Sequence, residues 1–157
     1  MTQKFVSSRF FLYCTTTAAG QKQASLIDGM EKEKYQLEFI IKTSPGILYN
    51  LISTPSGLSE WFADDVNVKD NTYTFFWDGS EESAKLLNKK RDHFTKFRWL
   101  NDEEEGIDSF FEFRIKIDDI TNDVALLVTD FSEPEEMEEA KALWSSQVEE
   151  LKHVLGS

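Results

Sequence analysis

SEPEEMEEAKALWSSQVEELKHVL, running from Ser132 to Leu155, reads as one long amphipathic helix. Met137, Ala140, Trp144, Val148, Leu151 and Leu155 recur at intervals of three and four, the spacing of one helical face. Ser132 followed three residues later by Glu135 has the pattern of a capping box, and Pro134 is tolerated in a first turn. Such a helix needs a surface to bury its apolar stripe, and a run of short, aromatic-rich strands precedes it. A curved sheet gripping this helix leaves an apolar hollow between the two.

Upstream, Tyr35, Leu37, Phe39 and Ile41 alternate with Gln36, Glu38 and Lys42, the period of a half-buried strand, with Ile40 the exception. Ser44-Pro45 and Thr54-Pro55 each supply an N-cap followed by proline at the first helical position. They predict two short helices, one through Ile52 and one ending near Trp61-Phe62, arranged as a compact V. A meander follows: Val66–Val68, Tyr73–Trp77, Ala84–Lys90, His93–Leu100, Phe111–Ile117 and Val124–Phe131, punctuated by Lys69-Asp70-Asn71, Asp78-Gly79, Arg91-Asp92 and Asp118–Asp123. The acidic run Asp102–Glu105, closed by Gly106, reads as a solvated loop. The order strand, two short helices, about six strands, long helix is α+β. A twisted sheet of that size curves, and the last helix belongs on its concave side.

The chain has 157 residues, enough for one domain, with 40% hydrophobic and 29% charged residues. Thirteen phenylalanines and four tryptophans serve either a core built of rings or a ring-lined pocket. Twenty-nine acidic against 17 basic residues give a net charge of -12. That field repels nucleic-acid phosphates and anionic membrane surfaces, and it favours solubility. Cys14 is the single cysteine, so no intramolecular disulfide forms and a reducing cytoplasm is the expected compartment. No apolar stretch approaches the ~18 residues that span a bilayer.

Residues 1–29 have a different texture. Phe10–Cys14 is apolar and Thr15–Gly20 small and polar, without sustained periodicity. The apolar core is too short for a signal peptide, and Tyr13 before Cys14 spoils a lipoprotein signal. Met30-Glu31-Lys32-Glu33, directly before the first clean strand, reads as the native start. The expected organisation is therefore an extension over 1–29 and a domain over 30–157.

Several of these residues together resemble the START-like superfamily. They are Ser44-Pro45, Thr54-Pro55 with Leu58, Trp61 and Phe62, and a W-x-x-x-V-x-x-L-K pattern at Trp144, Val148, Leu151 and Lys152. The nearest branch by resemblance is the activator of a heat-shock chaperone ATPase. Thr54–Asp65 and Phe76–Glu81 look like a family of small bacterial START-like proteins without assigned activity. The resemblance spans Glu31 to Gly156 and implies the helix-grip fold of the birch-pollen allergen group: a curved antiparallel sheet wrapped around a long C-terminal helix. It carries over no catalytic residue, cofactor or metal ligand.

Independent signs of chemistry are few. G-x-G-x-x-G, G-x-x-x-x-G-K-[ST] and G-x-S-x-G strings are absent. Two histidines, His93 and His153, are too few and too separated for a zinc site, and His153 suits the last turn of a helix. Asp118–Asp123 lacks the glycine of a calcium loop and reads as a polar turn. Asp64 and Asp65 are neighbours in an extended segment, so they point to opposite faces rather than share a proton. An enzymatic role rests on fold analogy alone.

The remaining candidates are ligand-cavity residues: Trp61, Phe62, Phe75, Trp77, Phe97, Trp99, Phe111, Phe113, Trp144 and Val148. An empty hollow of ~300 Å³ would cost about 7 kcal/mol, so rings, water or a ligand must fill it. The leading expectation is a non-enzymatic domain that takes up a small hydrophobic or amphipathic molecule between sheet and helix, as a monomer or weak dimer. The alternative is a protein-interaction or co-chaperone-like module, acting through acidic surface residues and an exposed Trp61-Phe62 region.

Overall fold

The computed structural model describes residues 32–156. The expected extension over 1–29, including Cys14, lies outside the described residues. Strand β1 (Glu33–Ile41) buries Tyr35 and Ile41 on one face and leaves Ile40 exposed on the other, which accounts for the break in alternation. Helices α1 (Pro45–Ser53) and α2 (Pro55–Trp61) start as their caps dictate: Ser44 accepts from the Ile47 N–H and Thr54 from the Gly57 N–H.

The carbonyls of Leu51, Ile52 and Ser53 at the end of α1 have no helical partner, yet each is satisfied, and Asn50, already bonded to the Thr54 N–H, takes a second donor. Asn50 accepts from the Thr54 hydroxyl, Leu51 from Trp61 Nε1, Ile52 from the Thr95 hydroxyl and Ser53 from the Tyr73 hydroxyl. Two of those donors stand on the sheet, so α1 is tied to it end-on. Burial, reinforced by neighbouring Tyr49, raises the Tyr73 phenol above its ordinary pKa and keeps it protonated as a donor.

The meander follows as β2 (Asp65–Lys69), β3 (Thr72–Trp77), β4 (Ser80–Lys90), β5 (Phe94–Trp99), β6 (Phe111–Ile117) and β7 (Val124–Ser132). All pairs are antiparallel, in the order β1-β7-β6-β5-β4-β3-β2. Asp70 and Asn71, both at positive φ, close the β2–β3 hairpin. A register shift between Leu86 and Asn88 in β4 bends the sheet. Long helix α4 (Met137–Leu155) closes the concave face, burying Trp144, Gln147, Val148 and Leu151, and ends at Gly156 in the left-handed conformation. This is the α+β helix-grip arrangement expected from the pattern.

Two local expectations fail. Asp102–Glu105 is not a solvated loop: Leu100–Glu104 forms a short helix, α3, with Asp102 buried. Carboxylates favour a helix's first turn, and Asp102 accepts from the Ser109 hydroxyl at 2.6 Å and the Lys32 ammonium at 3.4 Å. The capping box at Ser132 does not form either. Ser132 remains paired with Glu33 in the β1–β7 ladder and donates its hydroxyl to the Glu133 carbonyl, while a 3-10 turn (Pro134–Glu136) precedes α4.

Candidate functional site

Strand register and the two packed helices put all ten sequence-predicted residues on the concave side. Trp61 and Phe62 arrive at the end of α2, Phe75 and Trp77 from β3, Phe97 and Trp99 from β5, Phe111 and Phe113 from β6, and Trp144 and Val148 from α4. All are buried. Phe62 is the hub, with Trp61, Phe75, Trp77, Phe111, Phe113 and Trp144 at centroid distances of 5.0–6.2 Å. Trp144 stacks on it at an interplanar angle of 14°, and Trp99 stacks on Phe111 at 4.7 Å. Pairs of this geometry each add about 0.5–1.5 kcal/mol beyond their burial. The Trp61-Phe62 region, expected to be exposed in a protein-interaction module, is fully buried because α2 delivers both rings beneath α4.

Polar groups in this layer are matched. Trp77 Nε1 donates to the Phe62 carbonyl at 2.8 Å. Trp144 Nε1 donates to Asp130 Oδ2 at 2.9 Å, and the Tyr35 hydroxyl donates to the same oxygen at 3.3 Å. Gln147, a polar residue on the helix's buried stripe, donates to the Trp61 carbonyl. Sequence periodicity missed Gln147 and Asp130, since neither is apolar. Together they hold α4 in register on α2 and β7. Among the described residues no three His, Cys, Asp or Glu side chains gather to hold a metal, and no helix is long and apolar enough to cross a membrane.

The convex face carries a second constellation that the sequence reading did not single out. Phe110 and Phe131 meet edge to face at 5.0 Å, with Lys96 Nζ 4.2 Å and Lys34 Nζ 5.9 Å from the Phe110 centroid. Arg114 lies 4.4 Å from the Phe94 ring and pairs with Glu112. Lys96, Glu112 and Thr129 share one row of the sheet, and Phe94, Arg114 and Leu127 the next. Carboxylates in and after α3 pair with the neighbouring cations: Glu103 of α3 with Lys85 and Arg98, and Asp108 in the following loop with Arg98. A sequence signal existed. The Phe110-Phe111 doublet obliges one ring to face outward, and Phe94 has the parity of Lys96 and Arg98. A shallow depression lined by Glu38, Ile40, Lys116, Asp118, Asp123 and Ala125 lies at the far edge of this face. Hydrogen bonds from the Thr121 and Ile120 N–H groups hold Asp118 below the usual carboxylate range, as befits a turn residue.

The family model for the START-like superfamily domain matches residues 29–157. The chain belongs to the START-like superfamily. A Bacteroides fragilis protein solved by NMR is similar at 39% identity, with 79% of this chain and 91% of that one covered and a TM-score of 0.57. The Aha1 dimer from Colwellia psychrerythraea shares the START-like fold at 19% identity, covering 76% of this chain and 92% of that one with a TM-score of 0.64. A Mesorhizobium loti protein does so at 17% identity, covering 79% and 97% with a TM-score of 0.65. No functionally curated protein matches the chain.

Proposed function

We propose that this START-like chain is a binding domain for other proteins, co-chaperone-like in kind, and that the convex face of its sheet holds an acidic partner. The observation that carries this reading is the layer of Lys34, Lys96 and Arg114 over Phe110 and Phe94 on a chain of net charge -12. Cations beside half-buried rings offer an acidic, apolar-bearing surface both charge and contact area. The Aha1-like neighbour supports a co-chaperone role at the level of fold.

The rival reading is a small hydrophobic or amphipathic ligand held between sheet and α4, beside the stack of Phe62 on Trp144. Both are tested with the full chain. Lys34→Glu combined with Lys96→Glu reverses charge at the outer face without touching the interior. The expected result is that acidic proteins retained from lysate by the wild type are lost at least tenfold by the double variant, at unchanged melting temperature. Retention insensitive to the reversal refutes the surface. A lipid or metabolite that raises the melting temperature of both proteins equally favours the interior ligand instead.

A further inference from the structure

We propose that strand β2 is a self-complementary edge through which two copies of this chain pair antiparallel, extending the sheet across a two-fold axis. Among the described residues β2 has a neighbour on one side only, β3. Its sequence is Asp65-Val66-Asn67-Val68-Lys69. Laid against its own copy about Asn67, it sets each Asp65 opposite the other Lys69 and each Val66 opposite the other Val68. Both kinds of pairing are favourable across antiparallel strands.

The backbone is directed to suit. The Leu86 N–H donates to the Asn71 carbonyl at 2.8 Å, so the paired residues Thr72 and Lys85 point their own amides away from each other. Thr72 therefore exchanges bonds with Lys69, and alternation makes Asn67 and Asp65 the other bonded positions of the β2–β3 ladder. The amides of Val66 and Val68 consequently face away from β3, Val66 itself only 6% exposed in the monomer. Val68 is 40% exposed although its parity is that of the concave, apolar face. The Val66 N–H is held at 2.9 Å by the carboxylate of Asp65, a local bond that blunts the edge in the monomer. On pairing, that amide passes to the Val68 carbonyl of the second copy, and the freed Asp65 carboxylate meets Lys69 across the axis.

Five residues form a short seam. It buries less than the 1,200–2,000 Å² of a stable interface, so the association is weak and concentration-dependent. This inference is independent of the convex-face reading: β2 and β1 are opposite edges of the sheet.

The test is sedimentation of the full chain over a wide concentration range. Wild type should rise from monomer towards dimer mass. Asp65→Lys and Lys69→Asp each place like charges opposite one another twice, and each should weaken association about tenfold. The double swap, Asp65→Lys with Lys69→Asp, should restore it. Val68→Pro removes an outward amide without touching the β3 ladder, and should leave a folded monomer. A wild type that stays monomeric into the millimolar range overturns the proposal. So does a dimer indifferent to the single reversals, or one that the double swap fails to rescue.

Discussion

Replacing Gly57 by alanine tests how α1 and α2 bring Trp61 and Phe62 beneath α4. Two effects compete. Alanine is a better helix former than glycine by about 1 kcal/mol, and α2 would gain that. Against it, a Cβ at Gly57 would lie 2.1 Å from the Asn50 carbonyl oxygen, 2.7 Å from Leu51 Cα and 2.8 Å from Thr54 Oγ1. The backbone atoms cannot swing aside, so the helices must separate by about 1 Å to restore van der Waals contact. Overpacking of this kind costs about 1–3 kcal/mol. The same displacement loosens the Thr54 hydroxyl, which both accepts from the Gly57 N–H and donates to the Asn50 carbonyl; losing a cap costs about 1 kcal/mol more. The clash wins, leaving Gly57→Ala less stable by about 1–3 kcal/mol, or roughly 3–9 °C in melting temperature for a chain of this size. Thermal unfolding by circular dichroism measures it. Gly46→Ala is the control, since nothing lies within 4 Å of the new Cβ; it should be neutral or slightly stabilising. A Gly57→Ala protein as stable as wild type would refute the close helix approach on which the placement of Trp61 and Phe62 depends.

Trp144→Phe removes the Nε1 donor to Asp130 and leaves part of a ring's volume empty, so chemical denaturation should show a loss of about 2–4 kcal/mol. Tyr35→Phe removes only the longer 3.3 Å bond to the same carboxylate and should cost about 1 kcal/mol. Glu136 sits above the usual carboxylate pKa, first because of burial and then because of Glu133, with Lys32 opposing and Glu139 and Glu135 adding. Its folded form binds a proton more readily than its unfolded form, so its contribution to stability rises as pH falls through the folded pKa and levels off below the unfolded value. Glu136→Gln should therefore raise the melting temperature at pH 7 and remove that part of the pH dependence, as a pH series of thermal melts would show.

How much of this was legible in the chain follows from which signals are local. Period and caps located the elements because Ser44, Thr54 and the alternating strand residues act on backbone within four positions of themselves. Within single strands, parity pairs Phe75 with Trp77, Phe97 with Trp99 and Phe111 with Phe113 for the same reason. The face they share, and the arrival of Trp61, Phe62 and Trp144 from helices, depend instead on register between distant elements. The capping box failed because Ser132 answers to a ladder partner, Glu33, about a hundred residues away. Asp102 went inside because Lys32 and Ser109 meet it from other parts of the chain. Whether the rings surround a ligand or one another is likewise a question of distance between faces. Phe62 illustrates this: its neighbours come from four separate elements, and only their assembled curvature brings six rings within 5.0–6.2 Å of it.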